Sequence, residues 1–97
     1  MLAGMVRTEQ AMPKRRRRKN WSVYIARCSD GTLYTGATND IARRLNMHND
    51  GKGAHYTRTR RPVALVYQEN GMTRSQVLAR ECAIKALPKK AKENIVG

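Results

Sequence analysis

The amino-acid sequence predicts an α/β domain with its elements in the order β-β-α-β-α-α, and three observations lead to this prediction. Two short runs rich in β-branched and aromatic residues flank a three-residue loop that ends in glycine, which is typical of a β-hairpin. A third apolar run follows further along the chain. The segments around that run carry the apolar spacing of helices. The length of 97 residues suits one domain with a modest core.

The predicted hairpin pairs Trp21–Cys28 with Thr32–Ala37 across the loop Ser29-Asp30-Gly31. A loop of this kind suits a type I turn closed by a left-handed residue. It sets a register in which Tyr24 lies opposite Gly36. The other expected pairs are Cys28 with Thr32 and Ala26 with Tyr34.

Two phenols share one face of this hairpin, because side chains two residues apart point the same way. Tyr24 and Tyr34 are therefore expected as diagonal neighbours, and Gly36 leaves open space in front of Tyr24. This arrangement is either a functional site or a pair of ordinary core aromatics, which is the commoner role of tyrosine in a strand.

The first helix is predicted to begin with Thr38 or Asn39 as its N-cap. At about 100° per residue, one contiguous stripe holds four residues: Ile41, Arg44, Leu45 and His48. The two apolar members must pack on the sheet. Arg44 and His48 are therefore expected to lie at the sheet, whereas Arg43 faces solvent.

The rest of the chain reads as a loop, a strand and two helices. Asn49–Gly53 ends the first helix, and His55–Arg61 is predicted to be a polar, basic loop. Pro62–Gln68 is nearly continuous in apolar character, which favours a strand buried on both faces. The last short helix is predicted over Lys89–Val96, after Pro88, with a basic face.

The second helix carries an acid within its apolar stripe. Thr73 opens this helix in a capping box with Gln76, and the helix runs to about Ala86. Its stripe consists of Val77, Leu78 and Ile84, and Glu81 falls between them on the helical wheel. A carboxylate among core positions is costly unless it is paired or holds a cation. Both readings stay open, with Lys85 or Arg80 as the candidate ion-pair partner.

The charge balance predicts a polyanionic partner. The net charge is +13, of which residues 1–20 contribute +6 and residues 21–97 the remaining +7. Residues 1–20 contain six consecutive basic residues and are predicted to be a disordered tail ahead of a domain over 21–97. Because the domain itself is basic, we expect it to bind nucleic acid.

Several classes are not expected. The chain has no apolar run long enough to span a membrane and no hydrophobic signal segment, so we expect a cytoplasmic protein and leave association with the nucleoid open. Cys28 and Cys82 are far apart and are read as reduced core thiols without structural zinc. The candidate residues also lack an arrangement for acyl transfer, because neither Ser nor Cys stands beside a His in a recognisable pattern.

The candidates suit phosphodiester hydrolysis instead. Glu81 offers a carboxylate for a hydrated Mg²⁺ or Mn²⁺, which takes few protein ligands. Arg44 offers a permanent charge for the phosphate. A phenol or an imidazole can take a proton from the attacking water, and the residues leave open whether Tyr24 or His48 does so.

At these positions the sequence resembles the GIY-YIG nucleases, and most closely their short stand-alone bacterial members. The resemblance rests on Val23-Tyr24, on Tyr34-Thr35-Gly36 ten residues later, and on the spacing to Arg44, His48 and Glu81. It covers residues 21 to about 90. The sequence departs from the usual motifs in having Ser22 before Val23-Tyr24 and Thr35 in place of the usual Ile.

The resemblance implies a three-stranded, mainly antiparallel sheet flanked by helices. It implies one divalent metal, Mg²⁺ or Mn²⁺, held by Glu81, the phosphate gripped by Arg44, and Tyr24 as general base. Tyr34 and His48 would assist by hydrogen bonding, and Gly36 would keep the floor of the site open. The implied activity is that of a metal-dependent DNA endonuclease or exonuclease acting in repair or on structured DNA.

Two alternatives to a nuclease share the same electrostatics. One is a non-catalytic DNA- or RNA-binding module that keeps the fold, and the other is an RNA- or ribosome-associated factor. For each of them the same basic loop is expected to contact nucleic acid, through Tyr interleaved with Arg. Its predicted contact residues are His55, Tyr56, Arg58, Arg60 and Arg61.

Overall fold

The computed structural model describes residues 18–97. The predicted basic tail therefore lies almost wholly outside the described residues. The strands are β1 (Trp21–Arg27), β2 (Leu33–Thr38) and β3 (Ala64–Met72). The helices are α1 (Ile41–Asn49), α2 (His55–Arg58), α3 (Arg74–Lys85) and α4 (Lys89–Val96). The predicted element order is confirmed, with the one-turn α2 as an addition.

The three strands form one antiparallel sheet in the order β2-β1-β3. The predicted hairpin register is confirmed, because Tyr24 pairs with Gly36 and Ala26 with Tyr34. Gly31 closes the loop with φ of +87°, in the left-handed region that the turn requires. The expected third strand exists, but it begins at Ala64 and extends to Met72.

The prediction that β3 is buried on both faces is wrong. β3 is an edge strand, and Leu65 within it is 40% exposed. The buried central strand is β1, in which Val23, Tyr24, Ile25 and Ala26 are all fully buried. Strand order depends on long-range pairing, which an apolar run alone does not specify.

The two faces of β1 enter different clusters, because alternate side chains point to opposite faces. Val23 and Ile25 pack against α3, in a cluster completed by the buried Val77 and Ile84. Tyr24 lies on the other face, in a cluster of which the remaining members are Ala26, Cys28 and Val63, with Tyr34, Ile41 and Leu45 partly buried against it. The sheet is therefore covered by α3 on one face and by α1 on the other.

The helix starts follow capping chemistry. The predicted capping box of α3 is confirmed, since Thr73 and Gln76 each bond the other's backbone N–H. The predicted cap of α1 is wrong by one or two positions. Asp40 is the N-cap and accepts from the Arg43 N–H at 3.1 Å, while Thr38 accepts from the Asp40 N–H.

Three further expectations need correction. Leu78, expected in the buried stripe of α3, is 45% exposed, because the buried residues of this helix are Val77 and Ile84. Cys28 is buried as expected, but Cys82 is exposed, and both thiols are free. The segment over 55–61, predicted as a loop, contains α2.

The last helix is tied to the sheet by an ion pair. Arg27 on β1 donates to both carboxylate oxygens of Glu93 on α4, at 2.7 and 3.1 Å. Ile95 and Val96 of the same helix pack on the cluster of Val23 and Ile25. None of the helices over residues 18–97 has the length and apolar character needed to cross a membrane.

Candidate active site

The Tyr24 side chain lies at the centre of the candidate site. Tyr24 is fully buried, and its hydroxyl makes a hydrogen bond of 2.8 Å with Nε2 of His48. The ring packs on the opposite strand, where a Cβ at Gly36 would lie 2.5 Å from the phenol oxygen. The open space expected in front of Tyr24 is therefore filled by the Tyr24 ring itself. Gly36 is required because the ring approaches the backbone so closely.

His48 connects the last turn of α1 to the segment that follows. It is fully buried, and its Nδ1 lies 2.8 Å from Oγ1 of Thr57 on α2. Thr57, also fully buried, donates its hydroxyl to the carbonyl of Ala54 at 3.0 Å. Gly53 lets this segment approach, because a Cβ there would overlap the His48 ring and its backbone.

Burial controls the charge of both groups. Desolvation raises the pKa of Tyr24 to about 12, against a hydrogen bond from Arg44 that lowers it, while the charges of Tyr34, Arg44 and Glu81 act more weakly. Desolvation, and then the Arg44 charge, lower the pKa of His48. At neutral pH the phenol is therefore protonated and the imidazole is neutral.

Tyr34 joins the buried pair to the surface. Its ring centroid lies 5.2 Å from that of His48 and 6.4 Å from that of Tyr24. On its other side Tyr56 stacks at 6.1 Å with an angle of 27°, and the Arg60 guanidinium lies 4.0 Å from the Tyr56 centroid. Arg60 is held in place by Asp30 and by the Tyr56 carbonyl.

A groove runs along the open edge of β2, and we call it the edge groove. A cavity of about 300 Å³ has walls from β2, α2, α3 and α4: Leu33, Tyr34, Thr35, Tyr56, Lys85 and Lys92. A second cavity of about 200 Å³ shares Leu33, Tyr56 and Lys92 and adds Thr32 and Lys89. Leu33 and Thr35 point to one face of the sheet and Tyr34 to the other. The groove therefore spans the edge of the sheet.

Glu81 lies on α3, one turn before Lys85, which lines the edge groove. Its side chain is 18% exposed and forms an ion pair with Lys85 at 3.0 Å, which is the pairing that the sequence left open. The other candidate partner, Arg80, bonds Glu69 instead through two nitrogens. Although α3 packs on the face of the sheet opposite Tyr24, the Glu81 charge still contributes to raising the pKa of Tyr24.

The predicted site residues fall into two groups. Tyr24, Tyr34, Arg44 and His48 lie close together, with Glu81 within electrostatic range. Of the predicted nucleic-acid contacts, Tyr56 and Arg60 lie at the edge groove, and His55 is exposed. Arg58 and Arg61 instead line a separate cavity of about 460 Å³ beside Asn49.

Four residues around the site escaped sequence reasoning. A threonine in a polar loop carries no pattern that indicates a buried contact, so nothing marks Thr57. The sequence indicates only that Gly53 ends a helix and that Lys85 is a candidate ion-pair partner. Lys92 belongs to the basic face of the last helix, and nothing in the sequence places it at the site.

A divalent metal would have few protein ligands here. Within residues 18–97 there is no cluster of three or more His, Cys, Asp or Glu residues that could hold a metal ion. Glu81 is a single, partly exposed carboxylate, paired with Lys85, which lines the edge groove. This donor set fits a hydrated Mg²⁺ or Mn²⁺, which keeps most of its waters, and does not fit tetrahedral zinc.

The family model of the GIY-YIG catalytic domain matches residues 20–94. The chain belongs to the GIY-YIG family. This is a nuclease family whose members act on DNA and generally use divalent metals. The match spans every element that forms the site, from β1 to α4.

Known relatives of this GIY-YIG chain agree with the match. A UPF0213 protein of Desulfotalea psychrophila is 55% identical over 80 residues, covering 81% of this chain and 73% of that protein. The solution structure of a UPF0213 protein from Bacillus halodurans aligns with a TM-score of 0.51 at 41% identity, covering 78% of this chain and 81% of that one. The solution structure of a protein from E. faecalis aligns with a TM-score of 0.54 at 42% identity, covering 80% of this chain and 84% of that one. These neighbours share the predicted α/β fold.

Proposed function

We propose that this protein is a metal-dependent nuclease that hydrolyses DNA phosphodiester bonds, in repair or in processing of structured DNA. The observation that carries the proposal is the hydrogen-bonded pair of Tyr24 and His48, beside Arg44 and within range of the Glu81 charge. A base, an anion-binding group and a carboxylate thus lie within electrostatic range of one another. Phosphodiester hydrolysis needs these three components.

Tyr24 and His48 act together as the base. The imidazole is neutral and its Nε2 lies 2.8 Å from the phenol oxygen, so it can receive the phenol proton as the phenol receives one from water. A phenol whose pKa is about 12 would be a weak base by itself at neutral pH, since its phenolate is scarce. Coupling to His48 removes the need for a preformed phenolate.

Arg44 binds the scissile phosphate. Its charge lowers the pKa values of both Tyr24 and His48, so the guanidinium lies within electrostatic range of the pair. Its planar array of donors suits a phosphate placed beside them. Tyr34, between His48 and the groove, is placed to hydrogen-bond the water or the phosphate.

Glu81 would hold the metal. A bound Mg²⁺ or Mn²⁺ would stabilise the charge that develops on the phosphate and on the leaving oxygen. Lys85 forms an ion pair with this carboxylate, and a bound cation would release it into the edge groove, which its side chain already lines. The DNA strand would run along this groove past Tyr56, Lys89 and Lys92.

The test is cleavage of supercoiled, branched and single-stranded DNA with Mg²⁺ or Mn²⁺. Glu81→Gln and Arg44→Ala should each abolish cleavage. Their matched controls, Asp50→Asn and Arg43→Ala, change exposed positions and should cleave normally. Cleavage that survives both site variants would exclude the assigned roles.

A non-catalytic nucleic-acid-binding module is the second candidate. It is favoured by the complete burial of Tyr24 and by its raised pKa, neither of which suits a base that must contact water directly. Binding that weakens with salt is expected of both candidates. Strand scission that depends on added metal distinguishes them, and competition between DNA and RNA of equal length tests an RNA-associated role.

A further inference from the structure

Thr57 forms the inner end of a buried hydrogen-bond chain. The chain runs from the Tyr24 hydroxyl to Nε2 of His48 at 2.8 Å, and from Nδ1 of His48 to Oγ1 of Thr57 at 2.8 Å. It continues from Oγ1 to the carbonyl of Ala54 at 3.0 Å. Tyr24, His48 and Thr57 are all fully buried. Their direct hydrogen bonds therefore decide which atom carries each proton.

The inner end of the chain fixes the direction of every bond. A carbonyl can only accept, so the single proton of the Thr57 hydroxyl is directed at Ala54. Oγ1 must then accept from His48, which places a proton on Nδ1. A neutral imidazole carries only one N–H, so Nε2 is left as an acceptor facing Tyr24.

The outer end of the chain follows from the inner end. With Nε2 unprotonated, the bond of 2.8 Å to Tyr24 forms only if the phenol donates to Nε2. The phenol proton is therefore directed at Nε2 of His48.

We infer that Thr57 is a positioning residue that holds His48 as the Nδ1–H tautomer, so that His48 receives the proton of Tyr24. The catalytic part of this inference rests on the proposed function. The tautomer itself is a property of the free protein and needs neither metal nor DNA.

The proton balance of the step is complete. As the water oxygen bonds to phosphorus, the water proton moves to the Tyr24 oxygen and the Tyr24 proton moves to Nε2 of His48. The P–O bond to the leaving oxygen breaks, and its electron pair stays on that oxygen. His48 becomes an imidazolium whose Nδ1–H still donates to Thr57, so no other bond in the chain has to reverse.

Gly53 gives independent support for a built arrangement. A side chain at this position would overlap the His48 ring, so the segment leading into α2 approaches as closely as glycine allows. This approach is what brings Thr57 within hydrogen-bonding distance of Nδ1. The wall behind His48 thus comes from the segment over 53–57, which sequence patterns gave no reason to connect with the site.

The experiment is a long-range ¹H–¹⁵N correlation spectrum of the full chain with ¹⁵N-labelled histidine, recorded near pH 8. The sequence contains two histidines, and the exposed His55 serves as the internal control. We expect His48 to show a protonated Nδ1 and an unprotonated Nε2. In Thr57→Val, which keeps the shape but loses the hydroxyl, His48 should move to a mixture of tautomers. Thr57→Ser should keep the wild-type pattern, and His55 should not change in either variant.

Cleavage assays complete the test. Thr57→Val should lower the single-turnover cleavage rate at least tenfold without weakening DNA binding, and Thr57→Ser should restore it. A wild-type His48 with its proton on Nε2 would overturn the inference, even if Thr57→Val fails to fold. So would an unchanged His48 tautomer in Thr57→Val. If the wild-type protein shows the expected tautomer and cleaves no DNA, the proposed function fails while the assignment of the tautomer to Thr57 stands.

Discussion

Replacing Tyr24 by Phe separates catalysis from folding in this site. The change removes one oxygen and keeps the ring that packs against Gly36. It leaves Nε2 of His48 buried without its donor at 2.8 Å. A buried polar atom without a partner costs about 1–3 kcal/mol. The expected loss in the free energy of unfolding is therefore about 1–3 kcal/mol.

The expected loss of activity is much larger than folding can explain. A domain of ordinary stability unfolds at a cost of about 5 kcal/mol or more, so a loss of about 3 kcal/mol still leaves roughly 97% of the molecules folded. Removing a general base lowers a rate by about 10²–10⁴-fold. The cleavage rate of Tyr24→Phe should therefore fall at least a hundredfold in protein that is almost entirely folded.

The assay combines urea denaturation with single-turnover cleavage. Tyr34→Phe is the matched control for stability, because Tyr34 is half-buried and the change keeps the ring that packs against His48 and Tyr56. Its free energy of unfolding should change by less than about 0.5 kcal/mol. Cleavage by Tyr24→Phe within tenfold of the wild-type rate would refute the proposed base, whatever the stability result.

Three further predictions concern pH, metal and backbone approach. The pKa of His48 is lowered from 6.5 in the folded protein, so the neutral imidazole contributes its full stability above pH 6.5. That stability is lost as the pH falls from 6.5 through the folded-state pKa, and equilibrium unfolding of His48→Gln should lack this pH dependence. By electron paramagnetic resonance, Lys85→Met should tighten Mn²⁺ binding to Glu81 about twofold, the equivalent of an i,i+4 ion pair, while the exposed Lys90→Met should leave the binding unchanged. Gly53→Ala should lower the free energy of unfolding by about 1–3 kcal/mol in a urea titration, because the new methyl group overlaps His48, and a change of less than 0.5 kcal/mol would contradict the packing.

Local rules account for the parts of the fold that sequence predicted well. A three-residue loop ending in glycine determines its own register, and this register alone placed Tyr24 opposite Gly36. The capping box of α3 is equally local, since it joins Thr73 to a residue three positions away. The helical stripe that placed His48 against the sheet needs only the period of the helix.

Long-range geometry accounts for the parts that sequence missed. The central position of β1 depends on pairing between residues far apart in the chain, so the apolar run of β3 gave no guide to its exposure. Leu78 is exposed because α3 covers one sheet face with a narrow line of contacts. Thr57 lies nine residues from His48 and meets it only because the chain turns back at Gly53.

Among the acidic residues within 18–97, Glu81 combines a charge that reaches Tyr24 with a weakly held carboxylate, which supports it as the proposed cation ligand. Between residues 18 and 97 most carboxylates have firm structural roles. Asp40 caps α1, Glu69 and Glu93 each accept from two nitrogens of one arginine, and Asp30 bonds Arg60 and Thr32. Bidentate arginine pairs are strong and geometrically fixed. Glu81 has only the single contact with Lys85, whose side chain is 51% exposed. A pair of this kind contributes little and exchanges easily, so a metal can replace the lysine without disturbing the fold.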